Sequence, residues 1–211
     1  MKIHRFVFSP IEVNTYILAD KNGECAIIDC GCYDNYEFNK LKTFINENSL
    51  RPVILLNTHL HLDHVFGNRF VLKEYGLMTH ASLEEEENLL SATKHAEIFG
   101  LSMPEPPGIG AYISDGQRVE VGNISLHCLF VPGHSSGSIA FYCEAGNFVF
   151  TGDALFAGSI GRSDLAGGDH QTLLNSIKDK LLNLPDDVIV YPGHGPETKI
   201  GVERINNPFL T

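Results

Sequence analysis

The sequence predicts an α+β protein, and three observations support this class. The chain opens with three strand-like segments, residues 2–8, 13–19 and 24–29, of which the last two are joined by the turn signal Lys21-Asn22-Gly23. Segments with apolar residues at helical spacing come next. A second group of strand-like segments then begins near residue 117. Strands in two groups, with helices around them, predict two sheets.

The first half of the chain alternates between helix and strand signals. Asp34 is a predicted N-cap for a helix that reaches about Asn48, because apolar side chains follow it at helical spacing, namely Phe38, Leu41, Phe44 and Ile45. The apolar run 53–56 predicts a buried strand, and a helix is predicted from His64 or Val65 through Tyr75. Ser82 opens another helix, whose acidic residues 84–87 are predicted to form a solvated first turn rather than a metal site.

Residues 91–112 are predicted to form a loop. The stretch from Met103 to Gly110 is rich in Pro and Gly, and these residues disfavour a helix or a central strand. Loops of this kind near a functional site can act as lids, and the sequence leaves that role open. Strands follow at 117–121, 124–131, 138–144 and 147–151, then a helix over about 170–182, a strand at 188–191 and a short final helix.

Composition restricts the classes of function. We expect residues 1–211 to form a single domain, because this length holds one sizeable core but not a second domain of ordinary size. A formal charge of −11 argues against nucleic acid as a partner. There is no apolar run of about 20 residues for a membrane span and no secretory leader, so a cytoplasmic location is predicted.

The cysteine pattern agrees with a reducing compartment. An odd number of cysteines, five, in a chain of this size makes a disulfide framework improbable. We interpret Cys30-Gly31-Cys32 as a turn, and Cys128 and Cys143 as packing residues.

Metal-ligand side chains are concentrated at predicted strand ends. The segment after strand 53–56 holds four within six residues, and three more each follow a β-rich stretch; the full set is His59, His61, Asp63, His64, His134, Asp153 and His194. Because strand ends at one sheet edge converge, these side chains are predicted to build one site. Imidazole with carboxylate suits zinc, iron or manganese better than calcium or magnesium. The other histidines, His4, His80, His95, His127 and His170, are predicted to be ordinary surface or core residues.

The order His-x-His-x-Asp-His, Gly-His, Gly-Asp, Gly-His resembles the metallo-β-lactamase superfamily. The resemblance implies a four-layer αββα sandwich and two divalent metal ions, for which we expect zinc first, with iron or manganese as alternatives. It also implies how the ligands divide. One metal would take His59, His61 and His134, the other would take Asp63, His64 and His194, and Asp153 would bridge them.

Within that superfamily, the stretch from Phe150 to Asp164 resembles the glyoxalase II group, in particular its short bacterial members. Asp153 stands where the similar true β-lactamases carry cysteine or serine, which makes antibiotic hydrolysis an unexpected main role. The resemblance implies a binuclear hydrolase that cleaves a thioester of the hydroxyacylglutathione type with a metal-bridging hydroxide. The substrate would be a small-molecule thioester or thiol conjugate, Asp63 would orient the hydroxide and accept its proton, and Arg162 would hold a substrate anion. The separate C-terminal helical substrate domain of the longer enzymes is expected to be missing.

Other functions stay open at this point. Gly161-Arg162-Ser163-Asp164 also resembles the persulfide dioxygenases, which use one iron held by two histidines and an aspartate. That reading would place iron on His59, His134 and Asp153, with open positions for oxygen and a persulfide. A metal-dependent lactone or ester hydrolase and a non-catalytic binding protein complete the alternatives.

Overall fold

Two six-stranded sheets pack face to face in the computed structural model, which describes residues 1–211. The first sheet has its strands in chain order: β1 (Lys2–Phe8), β2 (Val13–Ala19), β3 (Glu24–Ile28), β4 (Arg51–Leu56), β5 (Thr79–Ala81) and β6 (Ile109–Tyr112). The first three strands are antiparallel, as the opening segments predicted, and β3 to β6 run parallel.

The second sheet contains the later strands and reverses their order. Its members are β7 (Arg118–Val121), β8 (Ile124–Phe130), β9 (Ile139–Cys143), β10 (Phe148–Gly152), β13 (Ile189–Pro192) and β14 (Thr198–Lys199), arranged as β14-β13-β10-β9-β8-β7. A separate two-stranded ribbon consists of β11 (Leu155–Phe156) and β12 (Ser159–Ile160). Because β10 pairs antiparallel with β9 and parallel with β13, and β9 pairs antiparallel with β8, the strands β8, β10 and β13 all end at the same sheet edge.

Helices cover the outer faces of both sheets. They are α1 (Asn35–Glu47), α2 (Leu62–Val65), α3 (Asn68–Tyr75), α4 (Glu86–Ile98), α5 (His170–Ser176), which continues as a π-helical turn over Ile177–Leu181, and α6 (Ile200–Asn206). Side chains of α1 and α3 pack on the first sheet, and those of α5 and its π-helical turn pack on the second. The predicted four-layer αββα arrangement is therefore confirmed. No helix combines the length and apolar character needed to cross a bilayer.

The period-two alternation of β2 shows how the layers are held together. Tyr16 and Leu18 point into the core between the two sheets, whereas Ile17 and Ala19 point into the core beneath α1. All seven residues of β2 are buried, because both faces of the strand are covered. Asp34 caps α1 as predicted, and its side chain accepts a hydrogen bond from Glu37 N.

The structure corrects several predicted elements. The expected loop 91–112 is wrong at both ends, because α4 continues to Ile98 and residues 109–112 form the edge strand β6. The predicted helix after His64 is divided into α2 and α3 by Phe66 and Gly67. The acidic run is not wholly a solvated first turn either, since Glu85 is fully buried while its acidic neighbours are exposed.

Candidate metal centre

Four strand ends bring the predicted ligands together between the sheets. His59 and His61 follow β4 in the first sheet, and Asp63 and His64 lie in the short helix α2. The other three side chains follow strands of the second sheet: His134 after β8, Asp153 directly after β10, and His194 after β13. All seven predicted ligands thus lie in one site, as their placement after strands predicted.

The first group of donors consists of three imidazoles, His59, His61 and His134. His134 Nε2 lies 2.9 Å from His61 Nδ1 and 3.2 Å from His59 Nε2. Tetrahedral bonds of ~2.0–2.1 Å to zinc would place ligand nitrogens roughly 3.3 Å apart, so these separations suit one ion.

The second group consists of Asp63, His64 and His194. His194 Nε2 lies 3.1 Å from Asp63 Oδ2, and His64 Nε2 lies 3.7 Å from the same oxygen. Asp153 stands between the groups, with Oδ2 at 3.6 Å from His134 Nε2 and 3.7 Å from His194 Nε2. The carboxylate of Asp153 therefore lies within reach of both groups.

Unsatisfied buried atoms show that the donor set fits cations. His64 Nε2 and Asp153 Oδ1 are buried, lack a hydrogen-bond partner and lie 3.4 Å apart. Buried polar groups without partners cost free energy. The nitrogen lone pairs of His61 Nδ1 and His134 Nε2, which face one another at 2.9 Å, also repel. A single ion on His59, His134 and Asp153 would leave the second group without a partner, which favours two ions over one.

Neighbouring groups orient the imidazole rings. The Nδ1–H of His134 donates to the carbonyl oxygen of Arg162 at 2.7 Å, which directs its Nε2 into the site. The Nδ1–H of His194 donates to Glu12 O at 3.1 Å, just before β2. Hydrogen bonds of this kind fix the tautomer and the direction of a metal-binding histidine.

Asp29 fixes the segment that follows β4 by hydrogen bonds. It accepts hydrogen bonds from Thr58 N at 2.8 Å and from Thr58 Oγ1 at 2.7 Å, and its Oδ2 lies 3.2 Å from His64 Nδ1. Close packing also requires glycine at 193, where a Cβ would lie 2.1 Å from Asp153 Oδ1. Both features hold ligand side chains at short range.

The charges of the site divide its histidines into two classes. Burial, followed by electrostatic repulsion from the neighbouring His134 imidazole, lowers the pKa of His61 to about 4, and burial with the neighbouring imidazoles lowers the pKa of His59. Burial also opposes a charged His64, but Asp63, Asp29 and Asp153 outweigh it and raise the pKa of His64. For Asp153 the nearby histidines outweigh burial and lower the carboxyl pKa. His59 and His61 are therefore neutral and ready to bind metal at neutral pH.

A pocket of about 460 Å³ opens onto these ligands. Its lining includes apolar side chains, among them Ile98 and Phe99 from the end of α4, together with Ile11 and Leu165. His95, predicted to be an ordinary histidine, also lines it. A larger groove of about 540 Å³ lies between the N-terminus and the end of α1, but none of the seven ligands lines it, so we take the smaller pocket as the site.

The structure places Arg162 at the pocket wall, but with an internal partner. Its guanidinium donates two hydrogen bonds of 2.8 Å to Asp164, and both side chains are exposed. A substrate anion would have to compete with Asp164 for this guanidinium. The pocket contacts of Ile98, Phe99 and His95 were missed from sequence, since the helix that carries them was expected to have ended.

Comparison with known proteins agrees with this geometry. The family described as the metallo-beta-lactamase superfamily matches residues 9–194. YqgX of Bacillus subtilis, named a probable metallo-hydrolase, is 37% identical and aligns over 100% of this chain and 98% of its own length. The hydroxyacylglutathione hydrolase GloC of Haemophilus influenzae is 36% identical, with the same coverage of 100% and 98%.

Solved structures share the architecture. The BLEG-1 B3 metallo-beta-lactamase superposes with a TM-score of 0.92 at 32% identity and covers 100% of both chains. TTHA1623, in a di-iron-bound form, gives 0.89 at 36% identity, covering 98% of this chain and 100% of its own. ETHE1 from Myxococcus xanthus gives 0.80 at 26% identity, covering 99% and 84%. This chain belongs to the metallo-β-lactamase superfamily.

Proposed function

We propose that the protein is a binuclear thioester hydrolase that acts on small conjugates of the hydroxyacylglutathione type. One observation carries the proposal: seven ligand side chains converge, and five of them line a pocket together with apolar side chains. The full-length similarity to the Haemophilus influenzae hydroxyacylglutathione hydrolase supports the substrate class. We propose zinc as the metal, with iron or manganese as alternatives, and a di-iron relative shows why this choice needs measurement.

Two divalent ions at such a site would polarise the substrate carbonyl and make a bound water acidic near neutral pH. The chain supplies the remaining functions. Asp63 lines the pocket, and its pKa is lowered because His64 and His194 outweigh the effect of burial. Asp63 is therefore a carboxylate at neutral pH, and we assign it the orientation of the attacking water and the acceptance of its proton.

The substrate is matched by the walls of the pocket. The apolar side chains of Ile98 and Phe99 suit the hydrocarbon part of an acyl group or thiol, whereas His95 and Arg162 offer polar contacts. A thiol with a pKa of about 8.5 is a good leaving group as its thiolate and needs no general acid to protonate it. The site therefore needs no further proton donor. We propose a small molecule as the only partner, because the charge of −11 disfavours polyanions. All five cysteines are unpaired and buried, which supports the proposed cytoplasmic location.

A mononuclear iron dioxygenase is the second candidate, and the similarity to ETHE1 favours it. Four side chains that such an enzyme would not need, His61, Asp63, His64 and His194, nevertheless converge here on the same site. Lactone or ester hydrolysis and β-lactam hydrolysis are further alternatives, the latter because one neighbour is named a B3 metallo-beta-lactamase.

The test combines metal analysis with parallel assays. Protein purified without added metal is analysed for metal content, then assayed for hydroxyacylglutathione hydrolysis, β-lactam hydrolysis, and oxygen uptake with glutathione persulfide. We expect two metal ions per chain and thioester hydrolysis that is lost in His194→Ala. His127→Ala is the matched control, because this half-buried histidine of β8 lies outside the ligand groups. Oxygen uptake without thioester hydrolysis would replace the proposal by the dioxygenase.

A further inference from the structure

Glu85 is a buried carboxylate next to the metal centre, within the acidic run that the sequence placed in solvent. It ends the single 3₁₀ turn Leu83–Glu85 that leads into α4, and its exposed fraction is 0%. A carboxylate in such a place needs several hydrogen-bond donors to offset the loss of hydration. Glu85 has four.

The four donors come from three separate parts of the chain. Oε2 accepts from Leu60 N at 2.8 Å and from Asn88 Nδ2 at 2.9 Å. Oε1 accepts from Ser135 Oγ at 2.6 Å and from Gly137 N at 2.7 Å. The carboxylate therefore connects the segment after β4 with the segment after β8.

These two segments carry the first ligand group and no other complete group. Leu60 lies between His59 and His61, and Ser135 follows His134 directly. The second group is held differently, since Asp63 and His64 lie inside α2 and His194 is anchored by Glu12 and β2. Glu85 thus sets the distance between the three imidazoles of the first group.

The local packing is fitted to this arrangement. At Gly137 a Cβ would lie 2.6 Å from Ser82 Oγ and 3.0 Å from Glu85 Cγ, so no larger residue brings the 137 amide this close. Ser135 Oγ also contacts Ser138 Oγ at 2.6 Å, which extends the network along the same segment.

From these contacts we infer that Glu85 is a positioning residue for the His59–His61–His134 metal site, and not for the site of Asp63, His64 and His194. The inference rests on the proposed metal centre and adds to it a selective support for one ion. Replacing the carboxylate with an amide turns one acceptor atom into a donor that faces two existing donors. At least one of the two ligand segments then loses its anchor.

The experiment measures zinc affinity directly. Wild type, Glu85→Gln and the matched control Glu87→Gln, an exposed acid in the first turn of the adjoining helix α4, are stripped of metal and titrated with Zn²⁺ against a chromophoric chelator. Groups that orient metal ligands change metal affinity by roughly 10- to 100-fold. We expect Glu85→Gln to raise one of the two dissociation constants about tenfold or more and to leave the other, and the control, within about twofold.

Two backgrounds identify the affected site. In His194→Ala the second group is incomplete, and Glu85→Gln should still weaken zinc binding about tenfold. In His61→Ala the first group is incomplete, and Glu85→Gln should leave the remaining affinity unchanged. Equal weakening of both sites, or no weakening in a folded variant, overturns the inference.

A second variant covers the case in which Glu85→Gln does not fold. Ser135→Ala removes one of the four donors without placing a new one against the carboxylate, and it should weaken the same site by a smaller factor. Unchanged affinity in Ser135→Ala would then overturn the inference. Wild type that binds neither zinc nor iron or manganese contradicts the proposed function and this inference together, whereas two bound zinc ions with unaltered variants contradict the inference alone.

Discussion

Phe99 offers a test of the proposed substrate pocket that avoids the metal ligands. It caps the C-terminus of α4, lines the pocket and is 55% exposed. Full burial of a phenylalanine side chain contributes ~1.5–3 kcal/mol. A substrate that covers the exposed half would therefore gain about 1 kcal/mol from it, and Phe99→Ala should raise KM about fivefold. Because the side chain is largely exposed, the free energy of unfolding should change by no more than about 0.5 kcal/mol.

The assay uses a series of thioesters whose acyl chains grow from the hydroxyacyl type to longer apolar groups. If Phe99 contacts the substrate equally in the ground and transition states, KM rises while kcat stays constant, and the rise grows with acyl length. Phe209→Ala is the matched control, since Phe209 is 50% exposed and does not line the pocket. Equal KM values for the two variants, or a rise independent of acyl length, would refute the apolar wall as a substrate contact.

Three further predictions concern the bridge, the paired arginine and the thiols. Asp153→Ala should retain about one metal ion per chain by metal analysis and lose nearly all hydrolysis, because the carboxylate between the groups offsets cation repulsion; two retained ions would contradict a bridging role. Arg162→Ala should raise KM for an anionic thioester more than for a neutral one. Asp164→Asn should lower KM for the anionic thioester, because it frees the Arg162 guanidinium. Equal effects of Arg162→Ala on both substrates would show that Arg162 does not recognise the substrate anion. Burial raises the pKa of Cys25 and of Cys128 to about 12. Their ionisation on unfolding therefore favours the unfolded chain above pH 9, and urea titrations at about pH 10.5 should show a loss of about 2 kcal/mol per thiol relative to pH 8. Constant stability across that range would show that these thiols ionise in the folded protein.

The strands and helices with strong periodicity were predictable from the sequence because their own residues determine them. The seven residues of β1 and of β2, and the capped helix α1, agree with their patterns. The three-residue strand β5 was not predicted, since its length is too short for a pattern and its pairing with β4 and β6 holds it in the sheet. The C-terminal end of α4 was also not predicted from the sequence. The Pro-rich stretch that follows was assigned too long a loop, although helix-forming residues continue to Ile98.

The metal centre was predictable at the level of residues because ligand side chains are chemically distinctive. Histidines and aspartates crowded after apolar strands have few alternative explanations. Their convergence also follows from simple geometry, since β8, β10 and β13 end at one edge of the second sheet.

The pocket residue Phe99 and the positioning residue Glu85 could not be identified from the sequence, because their residue types do not distinguish them from other residues of the same kind. Phe99 and Phe209 are both exposed phenylalanines, and only the folded chain places one of them at a pocket. In the same way Glu85 is one of four consecutive acids, and burial against Leu60 and Ser135 alone distinguishes it from its neighbours. Positions of this kind acquire their role through contacts across the fold. Substitutions at Phe99 and Glu85 should therefore separate substrate binding from metal binding, a division that changes at the ligands themselves would not reveal.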